Sequence, residues 1–176
     1  MQKVTLIGTG LMGYPMAQNI LKGGYTLSVF NRTKEKADGL SKNGAVVAET
    51  INEAIKNSDV IITMLSDDNA VSEVINSNDF LDNIKINSTV IDMSSTKPVT
   101  SKKIFDLLKT KNINFLDAPV SGGTVGAEKA SLAIMVGGDE IIFNKVVKIL
   151  NTMGNPTLVG PIGSGQIAKL ANQIIV

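Results

Sequence analysis

Lys3-Val4-Thr5-Leu6-Ile7-Gly8-Thr9-Gly10-Leu11-Met12-Gly13 is the stretch that decides the fold. A short, partly β-branched apolar run, Val4 to Ile7, reads as a buried strand. It delivers Gly8, Gly10 and Gly13 straight into the helix-forming segment Met16-Ala17-Gln18-Asn19-Ile20-Leu21. Strand, tight turn and helix start in that order form the geometry that receives a pyrophosphate. Gly8 permits the turn, Gly10 lets the backbone approach the phosphates, and Gly13 lets helix and strand pack closely. The phosphates then sit at a helix N-terminus, where unpaired N–H groups favour negative charge. Gly8, Thr9, Gly10, Leu11, Met12 and Gly13 are therefore expected to bind a dinucleotide.

Outward from this stretch the chain alternates strand and helix. Strands are expected at Lys3–Ile7, Thr26–Asn31, Ala45–Val47, Val60–Met64, Thr89–Asp92, Asn114–Asp117, Leu132–Gly137 and Thr157–Val159. Helices are expected at Met12–Lys22, Lys34–Lys42, Ile51–Lys56, Asp68–Asn76, Pro98–Thr110, Asp139–Leu150 and Gly165–Val176. Short strands separated by helices imply an α/β fold of Rossmann type: a doubly wound, mostly parallel sheet with helices on both faces. In the last helix Ile167, Leu170, Ala171, Ile174 and Ile175 repeat at i, i+3, i+4, i+7 and i+8, a stripe wide enough to need a partner. Residues 1–162 read as the nucleotide-binding domain. Residues 163–176 read as the start of an interdomain helix leading to a further domain, so the chain is expected to be the N-terminal part of a longer protein.

Composition narrows the chemistry. The 176 residues are 43% hydrophobic and carry a net charge of +1, which gives no general drive toward nucleic acid or an anionic membrane. No apolar run approaches the ~20 residues needed to span a bilayer. Gly8 and Gly10 interrupt any signal-peptide core. With no cysteine there is neither a thiolate nucleophile nor a cysteine-held metal, and no metal is expected; a cytoplasmic location fits. With no histidine, the commonest general acid–base is missing and a different proton donor is required.

Three constellations could carry chemistry. Asn31-Arg32-Thr33 ends the second strand, 18 residues after Gly13, where NAD-preferring sites place an acid for the ribose 2′-hydroxyl. No acid is present. Asn31 can still bond the ribose, while Arg32, the one arginine of 17 basic residues, offers a planar fork for a 2′-phosphate. NADP(H) is therefore expected to be preferred, with NAD(H) second; the structural alternative is a helix-capping triplet with Thr33 as N-cap. Asp117-Ala118-Pro119-Val120-Ser121-Gly122-Gly123 follows a strand at the sheet edge where such folds bind ligands. The Ser121 hydroxyl with the Gly122 and Gly123 amides suits a small carboxylate or a developing oxyanion, or else forms an ordinary turn. Lys169, Asn172 and Gln173 stand at i, i+3 and i+4 on one helix face, opposite the apolar stripe. A surface-helix lysine with two amides is ordinarily a solvated face; against that, Gly163-Ser164-Gly165 lets the helix start close to another backbone, and in a chain without histidine a lysine is the natural proton donor, which neighbouring amides orient without adding charge.

Four blocks then match one family in order: Gly8 to Gly13 with Met16-Ala17, Asp92-Met93-Ser94-Ser95-Thr96, Asp117 to Gly123, and Gly163-Ser164-Gly165-Gln166 to Lys169 and Asn172. Over its whole length the chain resembles the β-hydroxyacid dehydrogenases. These include 3-hydroxyisobutyrate dehydrogenase, tartronate semialdehyde reductase and the glyoxylate/succinic semialdehyde reductases, with 6-phosphogluconate dehydrogenase more distant. The resemblance implies Lys169 as catalytic acid–base and Ser121, Gly122 and Gly123 as the substrate-carboxylate site. It implies Asn172 or Gln173 as the residue that positions substrate, and Met64, Leu65 and Thr96 as lining for the nicotinamide and its ribose. The implied reaction is hydride exchange between NADP(H) and a short-chain β-hydroxyacid or semialdehyde. Family members add an all-helical domain that completes the pocket and forms the dimer interface. The full-length protein is thus expected to be a homo-oligomer, and this chain alone to bind cofactor but turn over slowly. An oxidative decarboxylase like 6-phosphogluconate dehydrogenase would need further phosphate-binding cations, and no second basic cluster stands beside Ser121. A non-catalytic NADP sensor would need neither Ser121 nor Lys169.

Overall fold

Strand β1 (Lys3–Ile7) sits inside the sheet of the computed structural model, which describes residues 2–175. It pairs in parallel with β2 (Thr26–Phe30) on one side and β4 (Val60–Thr63) on the other. Beyond them lie β3 (Val46–Val47) at one edge, and β5 (Thr89–Asp92) and β6 (Asn114–Asp117) in the other direction. The spatial order β3-β2-β1-β4-β5-β6 is that of a doubly wound dinucleotide-binding sheet. The sheet then departs from it. Strand β8 (Leu132–Gly137) runs antiparallel to β6 and to the two-residue β7 (Val120–Ser121), while β9 (Gly154–Gly160) runs parallel to β8.

Alternation along the strands builds two cores, one on each face. Val4, Leu6, Val60, Ile62, Ile91 and Leu116 face one way, with Met16 and Ile20 of α1 (Gly13–Lys22) and Val146 and Ile149 of α8 (Glu140–Leu150). Ile7, Ile61, Val90 and Phe115 face the other way. They meet Ile55 of α3 (Ile51–Ile55), Val71 and Ile75 of α4 (Asp68–Ile75), and Ile104 and Leu108 of α6 (Pro98–Thr110). The near-continuous apolar strands follow from this double burial.

Three sequence expectations change. Lys34–Lys42 is not one helix: Lys34–Lys36 forms a 3₁₀ turn and α2 spans only Asp38–Ser41. The break falls at Ala37, and Gly39 inside α2, a poor helix former, lies against the Tyr14 hydroxyl, where an added Cβ would stand 2.3 Å away. Thr33 caps nothing with its side chain. Two helices were not foreseen, α5 (Asn78–Leu81) and α7 (Gly123–Glu128). Smaller differences are the ends at Phe30, Thr63, Ile55 and Ile75, the starts at Gly13, Val46 and Glu140, the additional two-residue β7 and the longer β9. The final helix, α9, spans Ser164–Ile175; Val176 and the side chain of Ile175 lie outside the described residues.

Candidate active site

Parallel register lines up the carboxyl ends of the strands. Phe30, Ile7, Thr63, Asp92 and Asp117 stand side by side across β2, β1, β4, β5 and β6. The glycine turn, Asn31-Arg32-Thr33, Met64-Leu65, the loop to Thr96 and the loop after Asp117 therefore leave the sheet along one edge, the edge where open α/β sheets bind ligands.

At β1 the three glycines are required for different reasons. A Cβ on Gly8, which has φ +100, would stand 2.2 Å from the Met64 carbonyl oxygen, and one on Gly13 would stand 1.9 Å from that of Gly8. Both glycines are fixed by the protein's own packing. A Cβ on Gly10 would meet nothing within 4 Å among the described residues, so the room it leaves faces outward. Gly10 and Leu11 are exposed, Leu11 by 84%, and Met12 is half-buried. Asn31 Oδ1 accepts from the Thr9 N–H at 2.9 Å and Asn31 Nδ2 donates to the Thr33 carbonyl at 2.8 Å, so Asn31 ties the second strand end to the glycine turn. The Thr9 hydroxyl is buried and lacks a partner among the described residues. Arg32 and Thr33 are exposed beside the turn. An open cradle over Gly10, an outward guanidinium and a helix start fit a phosphorylated dinucleotide.

The next two strand ends share a buried polar network. Asp92, with no exposed surface, accepts from Thr63 Oγ1 at 2.8 Å and from the Ser94 N–H at 3.1 Å through Oδ1. Its Oδ2 accepts from Thr96 Oγ1 at 3.4 Å. Burial pushes the Asp92 carboxyl up to about 6, against the opposing pull of the Ser94, Thr63 and Thr96 donors. Ser94 Oγ in turn accepts from the Leu65 N–H at 2.9 Å. Met64 and Leu65 are half-buried at the end of β4 and Thr96 is buried, so the three expected lining residues lie on adjacent strand ends.

At the third, Asp117 is also fully buried, and its carboxylate accepts from the Gly163 N–H at 2.7 Å and the Gln166 N–H at 3.0 Å. Burial raises its pKa, and those N–H donors hold it back. The side chain thus caps α9, which brings the last helix to the sheet edge. Asn172 Nδ2 of α9 donates to Ser121 Oγ at 3.1 Å, joining groups 51 residues apart. Gly122 and Gly123 are exposed at the mouth of α7. Lys169, one turn before Asn172, is half-buried on the same side of the helix, whereas Gln173 is exposed. The apolar stripe turns outward: Ile167, Leu170 and Ile174 are 56%, 50% and 87% exposed, so α9 offers its polar side to this edge.

Asp92, Asp117 and Gln166 are buried at this edge but carry no expected role from sequence alone. Their signal was present as acids at strand ends and an amide three residues before Lys169. A depression of about 530 Å³ at the opposite, amino ends of the strands includes Asp59, Lys85 and Ser88 in its lining. There Lys85 pairs with Asp59 at 2.6 Å, and none of the expected site residues lines it.

Residues 3–163 match the family described as the NAD binding domain of 6-phosphogluconate dehydrogenase. An uncharacterized oxidoreductase of Bacillus subtilis is 43% identical over 175 residues, covering 98% of this chain and 61% of that protein. The 2-hydroxy-3-oxopropionate reductase of Escherichia coli is 41% identical over 176 residues, covering 99% and 60%. Among solved structures, a Mycobacterium tuberculosis 3-hydroxyisobutyrate dehydrogenase with L-serine superposes with a TM-score of 0.95 at 32% identity, covering 99% of this chain and 60% of that one. The chain spans about three-fifths of the length of these relatives. No helix among the described residues is long and apolar enough to cross a membrane. The chain belongs to the family of NAD-binding domains of the 6-phosphogluconate dehydrogenase type.

Proposed function

We propose that this member of the 6-phosphogluconate dehydrogenase NAD-binding family is the cofactor-binding part of an oxidoreductase that transfers a hydride between NADP(H), preferred over NAD(H), and a short-chain β-hydroxyacid or semialdehyde. Candidate substrates are 3-hydroxyisobutyrate, tartronate semialdehyde, glyoxylate and succinic semialdehyde. One observation carries the reading: the 3.1 Å bond from Asn172 to Ser121 brings the lysine helix and the Ser-Gly-Gly loop together at the cofactor edge of the sheet. The relatives point the same way. 2-Hydroxy-3-oxopropionate is tartronate semialdehyde, and L-serine is itself a β-hydroxyacid.

The glycine turn and Asn31-Arg32-Thr33 hold the dinucleotide, Arg32 taking the 2′-phosphate and the Gly10 cradle the pyrophosphate. When bound, the nicotinamide supplies or accepts the hydride. Met64, Leu65 and Thr96 line its ring and ribose. The Ser121 hydroxyl and the Gly122 and Gly123 amides hold the substrate carboxylate. Asn172, bonded to Ser121, orients the carboxylate site against the helix. During reduction Lys169 gives a proton to the carbonyl oxygen as the carbon gains the hydride; during oxidation it removes the hydroxyl proton. The outward face of Ile167, Leu170 and Ile174 is the surface on which the second wall of the pocket rests.

The test is a screen of the full-length protein against the four substrates with NADPH and NADH, in the oxidising direction for the hydroxyacid. Turnover with at least one of them, faster with NADPH, is expected. No turnover with any of them would remove the assigned substrate class.

A further inference from the structure

Gln166 is 1% exposed, yet it carries three polar connections to two different strand ends. Its N–H donates to the Asp117 carboxylate at the end of β6. Its side-chain Oε1 accepts from the Thr96 N–H at 3.0 Å, and its Nε2 donates to the Ser94 carbonyl at 2.9 Å, both in the loop after β5. Lys169 follows three residues later on the same side of α9. Around this point the helix has no slack. A Cβ on Gly165 would stand 2.3 Å from the Met135 carbonyl oxygen and 2.8 Å from that of Asp117, so the first turn is pressed against the sheet.

A buried amide is not needed here to fill space. Methionine has the same length, and a buried polar group is costly unless every partner is met. What glutamine adds is a two-bond link of fixed geometry to main-chain atoms, which resists sliding or rotation of the helix. We propose that Gln166 is a positioning residue for proton transfer, fixing Lys169 in register with the Ser94–Thr96 loop. The inference rests on the proposed function, in which Thr96 lines the nicotinamide ribose and Lys169 moves the proton. It adds that one side chain sets the distance between those two parts. Misplacement of a reacting group by an ångström costs on the order of 100-fold in rate, so even a partial release should be visible in turnover.

The experiment uses the full-length protein with three variants. Gln166→Met keeps the volume and removes both side-chain bonds. Gln166→Glu keeps both while protonated, because the neutral acid accepts from Thr96 and donates to Ser94, and loses the second on ionisation. Lys169→Ala reports on the underlying reading. For Gln166→Met a fall in kcat of at least ~10-fold is expected, with NADPH affinity within about threefold and a larger solvent deuterium isotope effect on kcat. A mixture of folded and unfolded enzyme would lower kcat and leave that isotope effect unmoved. For Gln166→Glu, kcat near wild type at acid pH is expected, falling through one added ionisation as pH rises. Turnover of Gln166→Met within about threefold of wild type, or an unchanged isotope effect, overturns the proposal. If Gln166→Met does not fold, a Gln166→Glu profile without the added ionisation overturns it instead. Should Lys169→Ala keep wild-type turnover, the proposed function itself falls; should it lose turnover while the Gln166 variants do not, only the positioning role falls.

Discussion

Replacing Asp92 by asparagine should change the pH dependence of stability in a way that can be worked out in advance. The carboxyl is held at about 6 in the fold, against an ordinary value of 3.8, because it is removed from water. Its folded value is the raised one, so the folded chain holds the proton more tightly than the unfolded chain does. The stability it contributes is therefore greatest on the acid side, is lost as pH rises from about 4 to about 6, and stays level above about 7. The accumulated cost of keeping it ionised is about 3 kcal/mol at pH 7.5 and about half of that at pH 5. An asparagine at this position keeps the partners. Oδ1 continues to accept from Thr63 and Ser94, and Nδ2 donates to Thr96 Oγ1, which already lies 3.4 Å from Ser101 Oγ and can turn to donate there.

Urea unfolding of both proteins at pH 5 and pH 7.5 measures the effect. The stability of Asp92→Asn relative to wild type should rise by about 1.5 kcal/mol between the two pH values. A constant offset from the amide's own geometry cancels in that comparison, and so does the pH dependence of Asp117, common to both proteins. A difference that stays flat from pH 5 to 7.5, or one that changes in the opposite direction, would refute the account of Asp92 as a carboxyl carried at a desolvation cost.

Three further outcomes follow from the same geometry. Gly10→Ala should leave the midpoint of thermal unfolding within about 2 °C of wild type, since its Cβ meets nothing, while weakening NADPH binding at least ~10-fold by fluorescence titration; an unchanged affinity would empty the proposed cradle. Arg32→Ala should weaken NADPH on the order of 10-fold and leave NADH nearly untouched, and equal losses for both would argue against 2′-phosphate recognition. Lys169→Ala in the full-length protein should lower kcat by at least ~100-fold with NADPH affinity preserved, as steady-state kinetics and fluorescence titration would show.

The sheet was largely legible because its strands are buried on both faces and read as short apolar runs between glycine and polar breaks. What escaped were elements held by distant partners. Helix α7 contains Gly123 and Gly126, poor helix formers, and is secured by Asn19 Nδ2 donating to the Ala127 carbonyl at 2.6 Å, a link across 108 residues. Helix α5 is a single turn fixed by the Ser77 cap and by fully buried Phe80, too short to show a period. Periodicity marked the apolar stripe of α9 correctly but carried no information on which side the fold would cover. That side was settled by Asp117 and Gln166, whose partners lie 46 to 72 residues away. The glycine turn, Arg32, Ser121 and Lys169 stood out as residue types. The buried carboxylates behind them did not, because an acid at a strand end looks the same in sequence whether it meets water or caps a helix.

In the proposed reaction Lys169 and Ser121 act on one substrate beside the nicotinamide. A crystal structure of the full-length protein with NADP+ and a β-hydroxyacid would show whether they do. The substrate carboxylate should lie on Ser121, Gly122 and Gly123, with its hydroxyl within about 3 Å of Lys169 Nζ. A bound hydroxyacid whose hydroxyl is held by another residue, with Lys169 turned toward solvent, would contradict it.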